Sequence, residues 1–385
     1  MSSSPCTADT GEKTSLLEYL ARNGVVHSLD MRTEARDGFL EALGRLVLQP
    51  RGLSYRVQFC GPTGTNAVEA ALKLARKVTG RTDIVAFSRG FHGMSLGSLA
   101  VTANASKRHG AGVPLNHVVR LPYEGAVSDV DGLSMLEYLV EDSSSGVDRP
   151  AAVIVETVQA EGGVHVASEA WLRRLEQLCR RLDVLLIVDD VQMGCGRTGP
   201  FFSWEASGVR PDIVCLSKSL SGYGLPLAVT LLRPELDVWS PGEHNGTFRG
   251  HNLAFVAGRV AIERYWASGD LQRGVAERAA TVERVLRELA DSYPRAIVDV
   301  RGRGLVWGVE FRDPAAAAAV IRTAFERERL VVETSGSLDQ VVKLLPPLTI
   351  GTDELADGLR RLFRAVERVV GAADVTAAAG ELTAR

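Results

Sequence analysis

Lysine is scarce in this 385-residue chain: only six of its 44 basic residues are lysine, at positions 13, 73, 77, 107, 218 and 343. A reaction that needs a primary amine therefore has few candidates. Cysteine is scarce as well. Cys6, Cys60, Cys179, Cys195 and Cys215 are odd in number, scattered and without CxxC spacing, so neither a zinc site nor a disulfide framework is indicated and buried, reduced thiols are expected. No apolar stretch approaches the roughly 18 residues of a membrane helix, and the N-terminus MSSSPCTADTGEKT lacks a basic region followed by a hydrophobic one. These absences predict a cytoplasmic protein with no membrane partner. Charge of one sign is also lacking: 44 Lys plus Arg against 47 Asp plus Glu leave −3, which disfavours a nucleic-acid partner.

What is present is an ordinary globular composition, 45% hydrophobic and 24% charged, in a chain long enough to bury a real core. Apolar runs of strand length begin at Asp83, Ala151, Val184, Asp212 and Leu227. Between them lie stretches such as 67–77 and 170–182 whose apolar residues recur every three or four positions, the spacing of amphipathic helices. Alternation of this kind predicts an α/β architecture with parallel strands joined by crossover helices. From about Gly269 the texture changes to Arg/Glu-rich helical sequence, then RGRGLVWGVEF, an Ala-rich helix and VVKLLPPLTI. The expected organisation is a tail at 1–12, a large domain at 13–268, a small one at 269–371 and a tail at 372–385.

In open parallel sheets, ligands gather beyond the C-terminal strand ends. Two apolar runs end there in groups that are costly to bury: one in Asp189-Asp190, the other in Ser217-Lys218. A desolvated lysine can act as a nucleophile toward carbonyls, forming a Schiff base. A nearby carboxylate can hold a pyridinium nitrogen protonated, which turns pyridoxal phosphate into an electron sink. Taken singly, Lys218 reads equally as an ion-paired lysine and Asp189 as a helix cap. The stretch from Gly61 to Lys77 leads small and hydroxyl residues into an amphipathic helix, offering backbone N–H groups and the Thr63 and Thr65 hydroxyls to an anion. It is not a Walker loop, because the GK[ST] ending is missing, and a plain capped helix has the same pattern. Thr247, in a Gly-flanked loop, suits either a phosphate contact or a surface turn. Phe91-His92-Gly93 would set an aromatic face against a planar ring, or place Phe91 in the core. Gly302 and Gly304 read as turn glycines.

Together these residues resemble the class III, subgroup II, aminotransferases, pyridoxal-phosphate enzymes of fold type I. The likeness runs in order from about Thr14 to Val370. It rests on Thr63-Gly64-Thr65, Phe91-His92-Gly93, Glu156 through Gly162, Asp189-Asp190-Val191-Gln192, Ser217-Lys218 and Gly246-Thr247. It implies a mostly parallel central sheet flanked by helices, with a smaller α+β C-terminal domain. The resemblance makes Lys218 the Schiff-base lysine and proton shuttle, with Asp189 on the pyridine nitrogen. Val191 and Phe91 would sandwich the ring, Gln192 would reach its phenolic oxygen, and His92 and Glu156 would line the site. Thr63, Gly64 and Thr65 would take the phosphate, joined by Thr247 from the other subunit of a homodimer whose active sites lie at the interface. Glu161 matches a glutamate that masks or frees an arginine in the substrate pocket. Lys343 stands where an arginine often grips the α-carboxylate, and supplies charge without a bidentate fork.

The implied partners are a small-molecule amino donor and a keto or aldehyde acceptor. The implied reaction is transfer of an amino group between glutamate and a terminal aldehyde, aspartate semialdehyde above all, giving 2,4-diaminobutyrate. No match is visible to the Gly-rich segment that family members carry ahead of the stretch matching LLEYLARNGVVHSLDM. The alternative expectations are therefore other pyridoxal chemistry, such as decarboxylation, elimination or carbon–carbon bond formation, or dependence of a shortened chain on a partner.

Overall fold

The computed structural model describes residues 10–371. The chain divides into two compact units: residues up to Thr157 with Ala167–Gln272, and Val158–Val166 with the described residues from Arg273 onward. Of the stretch 1–12 expected as a tail, residues 10–12 begin the first helix. The rest of it, Cys6 included, and the expected tail 372–385 lie outside the described residues.

Thirteen strands form among the described residues: β1 (Arg56–Phe59), β2 (Ile84–Phe87), β3 (Val118–Leu121), β4 (Ala152–Val155), β5 (Val158–Gln159), β6 (His165–Val166), β7 (Leu185–Asp189), β8 (Ile213–Leu216), β9 (Val229–Leu232), β10 (Ile297–Arg303), β11 (Val306–Phe311), β12 (Glu333–Ser335) and β13 (Val341–Leu344). The larger unit holds a seven-stranded sheet in the order β1-β9-β8-β7-β4-β2-β3. Its pairs from β8 to β3 are parallel, and β9 runs antiparallel to both of its neighbours. The Leu227 run reads as one more parallel strand because direction leaves no mark on composition. The edge strands β1 and β3 were not legible as apolar runs, since each is partly exposed.

Both faces of this sheet are covered, which is why its central strands are continuous apolar runs rather than alternating ones. On one face Ile84, Ala86, Ile154, Ile187 and Ile213 pack with Ala67, Val68, Ala71, Leu72 and Leu74. On the other, Val85, Phe87, Val153, Val155, Val188 and Val214 pack with Trp171, Leu175, Phe39 and Phe255. The larger unit's helices are α1 (Thr10–Ala21), α2 (Glu34–Ala42), α3 (Gly64–Thr79), α4 (Leu96–Val101), α5 (Ala105–Arg108), α6 (Gly132–Glu141), α7 (Glu169–Arg181) and α8 (Asn252–Tyr265). The helix expected over 170–182 starts one residue earlier, where the Ser168 hydroxyl accepts the Trp171 N–H at 3.1 Å.

The smaller unit carries the antiparallel sheet β10-β11-β13-β12 and the β5-β6 ribbon, with α10 (Pro314–Glu326) and α11 (Thr352–Val366). A further helix, α9 (Asp270–Ser292), leads the chain into it. Gly304 is a turn glycine, with φ +60° in the β10–β11 hairpin. Gly302 instead lies inside β10, where a side chain would collide with the Trp307 ring.

No described helix is long and apolar enough to cross a membrane, and the described residues contain no cluster suited to a metal ion. Cys60, Cys179, Cys195 and Cys215 are buried free thiols, and burial pushes the Cys60 thiol up to about 11.

Candidate active site

Every parallel strand of the larger sheet delivers its following loop to one edge. Strand β1 is antiparallel to β9, which is antiparallel to β8, so β1 shares that direction and feeds α3 at the same edge. Thr63 is the extended residue before α3, with φ −120° and ψ 155°. Its N–H and its hydroxyl both donate to Asn66 Oδ1, at 3.3 and 2.8 Å. The Thr63 hydroxyl is thus turned back on its own helix. The first-turn amides of Gly64 and Thr65 stand outside the helix ladder, at the positive end of a 16-residue helix. Gly64 is required by space: a Cβ there would come within 2.7 Å of Val191 Cγ1. The Thr65 hydroxyl meets Ser95 Oγ at 2.8 Å and Ser98 Oγ at 2.5 Å. Neither serine stood out in the sequence.

Strand β7 ends in the two carboxylates, and strand geometry sends them in opposite directions. Asp190 is fixed in the core, where its oxygens accept the Ser203 N–H at 3.0 Å and the Ser203 hydroxyl. Asp189, 6% exposed, accepts the Val191 N–H at 3.2 Å and meets His92 Nδ1 at 2.7 Å. Burial alone would lower the His92 pKa; the hydrogen bond and charge of Asp189, with the charge of Glu156, outweigh it and raise the imidazole above its ordinary value. The β2–α4 loop that supplies His92 is anchored through the backbone of Phe91 and of His92. The Phe91 N–H donates to Glu156 Oε2 at 2.9 Å, and the His92 N–H to Thr102 Oγ1 at 2.9 Å. Gly93, at φ +125°, lies so close to Thr65 and Ser98 that no side chain fits. Phe91 and Val191 are each half-buried.

Lys218 lies two residues past the end of β8, the strand next in the sheet to β7. Ser217 is held by its hydroxyl donating to the Leu227 carbonyl at 2.8 Å. Lys218 then takes a left-handed conformation, φ +49°, and opens a short 3-10 turn, Lys218–Ser221. A left-handed lysine costs about 1–2 kcal/mol, which the surrounding bonds must offset. Lys218 and Gln192 are both half-buried, at the ends of adjacent strands.

Thr247 is exposed on a short 3-10 turn, Thr247–Arg249. Its loop passes the end of β1, since a Cβ on Gly246 would be 3.3 Å from the Cys60 carbonyl. Two of the six lysines pin this loop. Lys73 Nζ donates to the Glu243 carbonyl at 2.7 Å, Lys77 pairs with the Glu243 carboxylate, and both ammonium groups lie over the Trp239 ring at 5.4 and 5.6 Å.

Glu161 and Lys343 belong to the smaller unit and meet there. Lys343 on β13 is 2% exposed, and its ammonium lies 2.5 Å from Glu161 Oε1 and 3.5 Å from Glu333 Oε2. Glu333 is its register partner on β12. Sequence reasoning missed Glu333, because cross-strand pairing leaves no local signal.

The donor set fits pyridoxal phosphate. A buried carboxylate, backed by a histidine, suits a pyridinium nitrogen; unladdered amides beside hydroxyls suit a phosphate; a lysine opens the turn after the neighbouring strand. Gly64 and Gly93 let Val191, Thr65 and Ser98 pack directly against the backbone at that edge.

The family model for class III aminotransferases matches residues 36–366. A diaminobutyrate–2-oxoglutarate transaminase of Nocardia farcinica is 57% identical over 93% of this chain and 81% of its own length. One of Streptomyces avermitilis is 56% identical over 92% and 84%. Among solved structures, an aminotransferase from Bacillus anthracis superposes with a TM-score of 0.84 at 22% identity, covering 95% of this chain and 87% of that one; at that identity the likeness is one of fold. With the strand-end lysine, the carboxylate–histidine pair and the family match over most of its length, the chain belongs to the class III aminotransferases, pyridoxal-phosphate enzymes that pass an amino group between small-molecule donors and acceptors.

Proposed function

We propose that this aminotransferase exchanges an amino group between glutamate/2-oxoglutarate and L-aspartate 4-semialdehyde/L-2,4-diaminobutyrate. The observation that carries the substrate pair is 52–57% identity, over at least 90% of the chain, to transaminases named for that reaction. The cofactor, when bound, supplies an electrophilic carbonyl and an electron sink for the substrate carbanion.

The chain's own residues do the rest. Lys218 Nζ would hold the cofactor, and its amine would carry the proton moved at the substrate carbon. Asp189 keeps the pyridine nitrogen protonated, and His92, bonded to its Oδ2, fixes the orientation of that carboxylate. Val191 and Phe91 would bracket the ring and Gln192 would bind its phenolic oxygen, while Glu156 holds the Phe91 loop in place. The phosphate would be received at the start of α3 by the Gly64 and Thr65 amides, with Thr63, bonded to Asn66, shaping that start. Thr247 completes the phosphate site of the other chain in a homodimer. Glu161 and Lys343 recognise the substrate's charged groups, with the glutamate free to release the ammonium when a carboxylate arrives. Residues 13–268 form the cofactor-carrying domain and 269–371 a smaller domain. Free, buried thiols support a cytoplasmic place of work.

The test is the visible absorption of the purified enzyme before and after glutamate, with 2-oxoglutarate assayed in parallel. Wild type should carry the band of a covalently held cofactor, lose it on adding glutamate and release 2-oxoglutarate. Lys218→Ala should lack that band and lose at least about 10³-fold in turnover. Near-wild-type transfer by that variant, or no 2-oxoglutarate from wild type, sinks the assignment.

A further inference from the structure

Glu69 lies on the second turn of α3, within the stretch from Gly61 to Lys77, and has no role assigned above. Its Oε1 accepts two hydrogen bonds from across the site edge, from the Ser95 hydroxyl at 2.8 Å and from the Ser98 N–H at 3.0 Å. Ser98 is in the first turn of α4, so Glu69 caps that helix from a different element, where Ser95 makes no cap bond of its own. Gly97 is the accommodation for this reach, because a side chain there would strike Glu69 Oε2.

The two serines are those that touch Thr65. A hydroxyl has one proton, and Ser95 spends its proton on Glu69, so Ser95 Oγ can meet Thr65 Oγ1 only as an acceptor. The Ser98 hydroxyl donates to the Ser95 carbonyl at 2.9 Å, so toward Thr65 Oγ1 Ser98 is an acceptor as well, and the Thr65 proton lies between the two serine oxygens. Glu69 thus fixes Ser95 as an acceptor toward Thr65 and holds the backbone of Ser98 beside it. It also ties the start of α3 to the loop of Phe91, His92 and Gly93, which packs directly on Thr65.

We propose that Glu69 is a positioning residue for the cofactor phosphate: by holding Ser95 and Ser98 it locks Thr65 and leaves the Gly64 and Thr65 amides as the donors that face the anion. The proposal rests on the reading that the start of α3 takes the phosphate. Its effect depends on accepting hydrogen bonds rather than on negative charge, which by itself disfavours a nearby anion.

The experiment titrates the full-length chain, stripped of cofactor, with pyridoxal phosphate and separately with pyridoxal, which lacks the phosphate. Glu69→Ala and Ser95→Ala should each lose about tenfold in affinity for pyridoxal phosphate while pyridoxal binding stays within about twofold. Glu69→Gln keeps an acceptor oxygen and should stay within about threefold of wild type for both ligands. Ser95 is exposed, so its alanine variant tests the link without disturbing the core. Equal losses for both ligands would make Glu69 a merely structural residue. An unchanged ratio in Glu69→Ala and Ser95→Ala, or a loss in Glu69→Gln as large as in Glu69→Ala, would also overturn the proposal. A wild-type chain that binds pyridoxal as tightly as its phosphate would overturn the phosphate reading itself.

Discussion

His92 and Asp189 form a buried pair 2.7 Å apart, and the imidazole pKa is raised in the folded protein above its ordinary 6.5. The folded state then binds more protons than the unfolded one between those two values. The stabilisation is complete below 6.5 and is lost as pH rises through the folded pKa. Urea midpoints of the cofactor-free chain should accordingly fall as pH rises from about 6, and His92→Asn should flatten that slope; an unchanged slope would mean that another group supplies it. Lys343 poses a different residue-scale problem, since its ammonium is buried between Glu161 and Glu333. Lys343→Met would remove the buried ammonium from both carboxylates, and KM for glutamate should rise about tenfold or more with a smaller change in kcat. Lys343→Arg should recover most of the loss. A fall confined to kcat would argue that Lys343 does not meet the substrate's carboxylate.

At the scale of elements, the site depends on loops pressed against helix starts without room for side chains. Gly93 combines a left-handed φ of +125° with contact against Thr65 and Ser98. Gly93→Ala should therefore cost about 1–3 kcal/mol in urea unfolding and weaken cofactor retention at the same time. Stability equal to wild type would show that the loop can shift away from α3 freely. The loop of Thr247 is held differently, by charge and by the Trp239 face: Lys73 and Lys77 reach it from the same helix that opens at Gly64. Glu243→Ala should speed hydrogen exchange across 240–249 and leave β1 protected. The clamp is partly exposed, so raised salt should speed the same amides in wild type. Equal exchange in both chains would mean that Trp239 alone holds the loop.

For the whole molecule the decisive experiment is complementation. If Thr247 serves the opposite chain, Lys218→Ala and Thr247→Val subunits, each weakly active alone, should regain activity when mixed, because one site of each mixed pair has both residues intact. No recovery from subunits shown by sedimentation to exchange would place Thr247 in its own chain's site or outside any site. The arrangement that makes this testable was partly readable beforehand. Continuous apolar runs ending in Asp189 and in Lys218 were visible because both faces of a central strand are buried. The edge strands β1 and β3, half exposed, left no such run.

Sequence alone therefore determined the alternation of strands and helices, the scarcity of candidate amines and the order of motifs, since each is written in neighbouring residues and in hydrophobic period. Hydrophobic period alone could not say which of Asp189 and Asp190 faces the site edge, although the family resemblance pointed to Asp189. That was decided when β7 paired with β8 and sent one carboxylate to His92 and the other to Ser203. Nor could it find Glu69 with Ser95 and Ser98, or Glu333 with Lys343, whose partners lie on other turns and strands. Hydrogen bonds and ion pairs act over about 3 Å, and residues distant in sequence come that close only once the chain has packed.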